Sequence, residues 1–242
     1  MRIAILSDIH ANLEALEAVL ADAQAQACTQ FVCLGDVVGY NANPSECVRI
    51  IQGLECPVVK GNHDEQASIV ASVEGFNELA EEAIGWTRGH LSADDKAWLA
   101  DLRLTRQVRD FTIVHATLDT PGRWGYVFND LDAADSFAYQ QTSLCFFGHT
   151  HWPTAFVRDD NDSVCRIPVG QIVLAPGKRY FINGGSVGQP RDRDWRAAYS
   201  ILHTDQQVVE QRRVKYDLAT TQKKIRDAGL PGRLADRLAV GR

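Results

Sequence analysis

An α/β fold with a parallel sheet at its centre is predicted by three features of this 242-residue sequence. Its first sixty residues alternate short apolar runs (residues 2–7, 31–34 and 57–60) with stretches of helical periodicity. That β-α-β-α-β order calls for parallel strands with helices packed on their faces. Two further apolar runs, Phe111-Thr112-Ile113-Val114 and Leu144-Cys145-Phe146-Phe147, flank another helical stretch at residues 131–141. From Thr154 onward the pattern changes to strands separated by turns at Asp159-Asp160-Asn161-Asp162, Ala175-Pro176-Gly177-Lys178 and Thr204-Asp205-Gln206. This second pattern predicts an antiparallel continuation or a second sheet.

The elements follow from local chemistry. After the first strand, Asn12 is a good N-cap, and Leu13, Leu16, Leu20 and Ala23 recur at helical spacing. Asn43-Pro44-Ser45-Glu46 starts a second helix, with Asn as cap, Pro at the first position and Glu three residues on. Cys47, Ile50, Ile51 and Leu54 supply its apolar face. A helical region follows Asp64, with Phe76, Leu79, Ala80, Ala83 and Ile84 on one face, and Ser92 caps a shorter helix containing Trp98 and Leu99. A final helix is predicted over residues 218–227, stopped by Gly229 and Pro231. No linker, repeat or low-complexity segment interrupts the chain, which is read as a single domain over residues 1–242.

Composition narrows the function classes. The apolar and charged fractions, 45% and 23%, are those of a soluble globular protein. No apolar run is long enough to span a membrane, and Asp8 falls where a signal peptide needs apolar residues, so a cytoplasmic protein is expected. A net charge of −6 argues against a broad surface for duplex nucleic acid. The six cysteines form no CxxC pair and read as buried free thiols. A homo-oligomer is allowed.

Metal-capable groups fall at the ends of five expected strands: Asp8 with His10, Asp36, Asn62 with His63, His115, and His149 with His151. Gly148, before the last pair, lets the backbone turn. In open α/β sheets ligands bind outside the carboxyl ends of the strands, so these groups share a crevice. Five of the seven histidines lie in this set. Singly, each has an ordinary explanation as a cap, a turn residue or a core imidazole; eight coincidences at equivalent positions do not. Mixed oxygen and nitrogen donors suit manganese, iron, zinc, cobalt or nickel better than magnesium or calcium. Two such ions can clamp a phosphoryl group and activate water. A carboxylate can bridge two ions with its two oxygens, so an Asp from a central strand is the expected bridge.

In this order Asp8-x-His10, Gly35-Asp36, Gly61-Asn62-His63-Asp64, His115 and Gly148-His149-x-His151 resemble the motif set of the calcineurin-like metallophosphoesterases. The whole chain is similar to their short, single-domain bacterial branch. The resemblance implies a four-layer α/β sandwich, two mixed sheets flanked by helices, with the active site at strand C-terminal ends. It implies two divalent transition-metal ions, manganese foremost. Asp8, His10 and His151 would hold one ion and Asn62, His115 and His149 the other, with Asp36 shared. His63 would act near the leaving oxygen, as general acid or phosphate contact, and Asn62 would also touch substrate. A bridging hydroxide would attack phosphorus in line. Gly39 replaces an acid of the protein-phosphatase branch, and Asp64 replaces its glutamate; both weaken transfer of that branch's function.

Arg123, eight residues past His115 in a loop bearing Pro121, Gly122 and Gly125, is a candidate phosphate contact, as are Arg191 and Arg193. Asn183-Gly184-Gly185-Ser186 is either a second set of contacts near the metals or only a turn. Trp124 and Tyr126 are candidates for stacking on a base or for a core or lid role. The expected activity is hydrolysis of small phosphodiesters or phosphomonoesters, nucleotides included. A protein or diadenosine polyphosphate phosphatase is the alternative within that class. Outside it stand a nuclease, disfavoured by the acidic balance, and a metal-binding scaffold. The retromer scaffold subunit resembles this family yet lacks key catalytic groups, which here are all present.

Overall fold

The computed structural model describes residues 1–69 and 76–242. The elements of the first half are β1 (Arg2–Leu6), α1 (Leu13–Ala25), β2 (Gln30–Cys33), α2 (Pro44–Gly53), α3 (Asn62–Ser68), α4 (Glu78–His90), α5 (Ala93–Asp101), β3 (Thr105–Val108) and β4 (Phe111–Val114). The second half adds α6 (Asp130–Tyr139), β5 (Leu144–Phe147), β6 (Thr154–Arg158), β7 (Val164–Ile167), β8 (Gln171–Val173), β9 (Arg179–Asn183), β10 (Ala197–His203), β11 (Val208–Val214), α7 (Leu218–Asp227) and α8 (Gly232–Leu238). Among the described residues the strands form two mixed sheets, ordered β2-β1-β10-β11-β8 and β3-β4-β5-β9-β6-β7. Strands β1 and β2 pair in parallel, as do β4, β5 and β9, while the later strands join antiparallel.

Strand periodicity sorts the side chains into layers. On β1, Ile3 and Ile5 face between the sheets, where they meet Ile113, Phe146 and Ile182. The alternate residues Ala4 and Leu6 pack under α1 and α2 against Leu16, Val19, Cys47 and Ile51. In the second sheet Phe146 and Ile182 point inward, while Phe147, Phe156 and Phe181 point outward and are covered by Ala133 and Phe137 of α6. Helices, sheet, sheet and helix therefore stack in four layers, as expected. The strands that carry the candidate ligands are buried on both faces, which is why they read as unbroken apolar runs.

Several local expectations change. Residues 57–60 make single bridges, Cys33 to Val58 and Val59 to Arg103, rather than a full strand. Pro57 has no N–H to give a ladder, and the chain turns at Gly61 into α3. Asn62 and His63 thus open a helix. The predicted helical region is α3 and then α4, and residues 70–75 between them lie outside the described residues. Asn43 occupies the N-cap of α2, but its side chain makes no capping bond. Pro231 does not end the helical part of the chain: it caps α8. Cys33, Cys47 and Cys145 are buried free thiols, whereas Cys28 and Cys56 are half-buried and Cys165 is exposed. Among the described residues no helix is long and apolar enough to cross a membrane.

Candidate metal centre

The loops after β1 and β2 stay side by side beyond the sheet. Asp8 N–H donates to the Gly35 carbonyl at 3.1 Å and His10 N–H to the Asp36 carbonyl at 2.9 Å. To turn there, the chain adopts left-handed conformations that non-glycine residues avoid. Asp8 (φ 53°), His10 (49°), Asp36 (51°), His149 (67°) and His151 (58°) all lie in that region. Each such residue costs on the order of 1 kcal/mol or more, which the surrounding fold must hold in place. Gly148 is needed for space rather than for its conformation, correcting the simplest sequence reading. A Cβ there would lie 2.0 Å from Ser7 Oγ and 2.8 Å from Asp8 Oδ2. Gly61 is alike: its Cβ would sit 2.1 Å from Asp36 Oδ1.

Two overlapping sets of ligand-capable atoms result, Asp8, His10, Asp36 and His151 in one and Asp36, His115 and His149 in the other, all buried. Asp36 belongs to both. Its Oδ1 accepts the His63 N–H at 2.8 Å. Its Oδ2 faces His10 Nε2 at 3.5 Å and His115 Nε2 at 3.3 Å. One oxygen therefore looks toward both sets, in place of the expected division of one oxygen to each side. Asn62 Oδ1 joins the second set, 3.2 Å from His115 Nε2.

The hydrogen bonds around these rings test whether a cation fits. His10 Nδ1 lies 3.0 Å from the Val38 carbonyl and His151 Nδ1 lies 2.6 Å from the Gln189 carbonyl. A ring nitrogen facing a carbonyl must carry the proton, so each Nε2 presents a lone pair. Those two Nε2 atoms are 3.0 Å apart. Two lone pairs at that distance repel unless a cation or proton lies between them. His115 is tied in the same way: its Nδ1 donates to the Leu34 carbonyl at 2.9 Å, and its Nε2 faces His149 Nδ1 at 3.2 Å, Asn62 Oδ1 at 3.2 Å and Asp36 Oδ2 at 3.3 Å. Imidazoles tied by the far nitrogen to backbone carbonyls are the usual outer support of metal ligands. The donor set fits divalent transition metals.

Charge and burial oppose one another throughout the site. Burial drives His10 and His151 well below the ordinary imidazole range. It takes His149 down to about 3, helped by the charge of His115, and His63 to about 4 against the pull of Asp36. Burial also acts to lower His115, but Asp36 and Asp8 outweigh it and raise the ring to about 9. For Asp36 burial is outweighed by His115, His63 and His10, which hold the carboxyl well below the usual range. Asp8 is raised to about 6 by burial, with His115 opposing.

Beside the clusters lies a cavity of about 400 Å³ lined by Asp36, Asn62, His63, His149 and His151 and also by Arg123, Tyr126 and Arg191. Two of the three candidate arginines are thus brought to the site. Arg193 is not among the lining residues; its backbone is tied to Gly241. Trp124 also lines the cavity, and its Nε1 donates to Glu65 at 3.2 Å, pinning the Arg123 loop to α3. Tyr126 stacks on His149, ring centres 4.2 Å apart. Ser186 does not face the cavity: it donates to the Asp8 carbonyl at 2.7 Å and supports the loop. A Cβ on Gly39 would lie 2.4 Å from His63 Nδ1, so the acid of the protein-phosphatase branch has no room here.

Asp64, in the sequence only a member of the Gly61-Asn62-His63-Asp64 motif, has a role that sequence reasoning does not assign. Its carboxylate accepts the N–H groups of Asp36 (2.7 Å), Val37 (2.8 Å), Val38 (3.3 Å) and Gly61 (3.1 Å). It thereby locks the Asp36 loop to the start of α3. An acid at the third position of a short helix was the available signal.

Comparison with known proteins agrees with this geometry. The family model described as the calcineurin-like phosphoesterase superfamily domain matches residues 1–207. The uncharacterized protein MJ0912 of Methanocaldococcus jannaschii is 39% identical, over 99% of this chain and 98% of its own. The crystal structure of a metallophosphoesterase from Sphaerobacter thermophilus is 42% identical and superposes with a TM-score of 0.89, covering 100% of this chain and 99% of that one. The hypothetical protein PH1004 of Pyrococcus horikoshii OT3 shares the fold, with a TM-score of 0.79 at 16% identity and coverage of 100% and 98%. With its ligand-capable side chains gathered at the strand ends, the chain belongs to the calcineurin-like phosphoesterase superfamily.

Proposed function

We propose that this chain is a single-domain, cytoplasmic, metal-dependent hydrolase of small phosphodiesters or phosphomonoesters, nucleotides included. One observation carries the reading: two buried ligand sets share Asp36 at the floor of a cavity that also holds two arginines. Two divalent transition-metal ions, manganese foremost and iron, zinc, nickel or cobalt as alternatives, would supply Lewis acidity and lower the pKa of bound water. Asp8, His10 and His151 would hold one, and Asn62, His115 and His149 the other. Asp36, which belongs to both sets, would serve both.

The remaining groups handle the substrate. Arg123 and Arg191 neutralise the non-bridging phosphoryl oxygens. His63 lies in the same cavity, with a buried Nδ1 that has no partner among the described residues. It would act near the leaving oxygen, as general acid or as a hydrogen-bonding contact to the phosphate. Overall, an oxygen from water bonds to phosphorus, the ester P–O bond breaks, and the leaving oxygen takes up the proton. Manganese-loaded protein is expected to hydrolyse bis(p-nitrophenyl) phosphate or p-nitrophenyl phosphate, and Asp36→Asn to reduce this to background. Turnover that survives both chelation and Asp36→Asn refutes the reading.

A further inference from the structure

Two guanidinium groups flank one tyrosine at the edge of the metal centre. The Arg191 guanidinium carbon lies 5.8 Å from the centre of the Tyr40 ring, and that of Arg237, on α8, lies 6.0 Å from it. Among the described residues neither is paired with a side-chain carboxylate. Arg191 donates to Tyr40 Oη at 3.3 Å and to Gln189 Oε1 at 3.0 Å, and its Nε is buried without a partner. Arg237 donates Nε to the main-chain oxygen of Arg242. Burial, together with the like charge of Arg191, pushes Arg237 down to about 10. Two partly buried cations on one tyrosine, neither with a carboxylate side chain beside it, favour a bound anion nearby.

The surface beyond them supplies room for one. A groove of about 780 Å³ runs beside α8, lined by Arg233, Arg237 and Arg242 together with Glu78 and Asp236. Asp236 is already tied to Arg226 at 2.7 Å, so the arginines dominate its charge. Asn77 lines both this groove and the metal-centre cavity, so the two are neighbours.

Resting on the phosphoesterase reading, we infer that this groove is a second anion subsite. It takes another phosphoryl group of the same small substrate while the scissile phosphate sits at the Asp36 clusters. The favoured substrates are then small esters that carry at least two phosphoryl groups.

The test compares adenosine 5′-monophosphate with adenosine 3′,5′-bisphosphate as competitors of bis(p-nitrophenyl) phosphate turnover by the manganese-loaded chain. The bisphosphate is expected to compete about tenfold more tightly, the scale of one charge-assisted contact at a half-exposed site. That ratio should fall to within about twofold in Arg237→Gln and shrink in Arg233→Gln, while Arg166→Gln, on exposed β7, retains it. Arg233 is exposed, so its variant decides the matter should Arg237→Gln fold poorly. Equal competition in the wild type, or a ratio untouched in both variants, overturns the inference. So does sulfate lowering the reporter KM through Arg237, which marks a free-anion site instead. If the reporter is not turned over under any metal, the phosphoesterase reading fails by itself. Calorimetric Kd values for the two nucleotides then apply the same ratio test to the groove.

Discussion

Substituting Gly148 by alanine tests the close packing on which the metal centre depends. The glycine has no left-handed φ, so alanine meets no backbone penalty there. What it meets is Ser7 Oγ at 2.0 Å and Asp8 Oδ2 at 2.8 Å, well inside the ~3.5 Å contact distance of such atoms. Both neighbours are buried and engaged, since Ser7 Oγ donates to Asp8 Oδ2 at 2.6 Å and Asp8 also accepts the His149 N–H. Overpacking of this kind costs about 1–3 kcal/mol, and at this chain length each kcal/mol shifts Tm by roughly 2–4 °C. Gly148→Ala should therefore melt about 2–12 °C lower after chelation and bind less manganese, because Asp8 is displaced. Ser7→Ala removes the nearest atom at a cost of about 1 kcal/mol for its hydrogen bond. The double variant should recover at least about 1 kcal/mol relative to the sum of the single effects. Melting curves on the four chelated proteins, with metal counts after reloading, measure that coupling. Strict additivity, or a Gly148→Ala protein indistinguishable from wild type, refutes the packing argument.

Two further outcomes follow from the same geometry. His151→Ala should chiefly lose the ion shared with Asp8 and His10, and His149→Ala the ion shared with Asn62 and His115, so elemental analysis should find about one ion in each; full occupancy in either variant contradicts the assignment. On α1, Asp22 is clamped by Arg212 Nε at 2.8 Å and Nη2 at 3.1 Å and by the Tyr199 hydroxyl at 2.6 Å. Burial acts to raise its pKa, but these donors outweigh it and hold the carboxyl below its ordinary 3.8. A depressed carboxyl stabilises the fold fully above that ordinary value and loses the effect as pH falls through the depressed one. Asp22→Asn should thus melt lower by about 1–2 kcal/mol, discounted for partial exposure, across pH 5–8, with the gap closing below about pH 4. A gap that widens toward acid contradicts the clamp.

The legible parts of the chain are those whose signal is local. Strands β1, β2, β4 and β5 are buried on both faces and stand out as apolar runs, and α7 ends at a glycine, so its span reads directly. Strand β3, Thr-Arg-Gln-Val, is mostly exposed and carries no apolar period. Helix α8 was hidden because Pro231 serves equally as a stop and as a start. In the site, donor types were readable because acids and imidazoles follow strands. Asp64 was not, because its partners are N–H groups of a loop 26–28 residues earlier in the chain. Nor could sequence tell that His149 turns Nδ1 toward its neighbour where His10, His115 and His151 turn Nε2. For His10, His115 and His151 the Val38, Leu34 and Gln189 carbonyls behind the rings make that choice, whereas His149 Nε2 has no partner among the described residues.

The two ligand sets also have a mechanical consequence. Asp8, His10 and Asp36 hang from the first sheet, while His115, His149 and His151 hang from the second, and each set combines the two. The sandwich is thus fastened like a book with a clasp on one edge. Away from the clasp the layers meet through apolar side chains and through the Tyr180 hydroxyl of β9, which donates to the Val173 carbonyl of β8 at 3.3 Å. Cations, by closing the clasp, would stiffen the very loops whose left-handed turns are the least favourable parts of the chain.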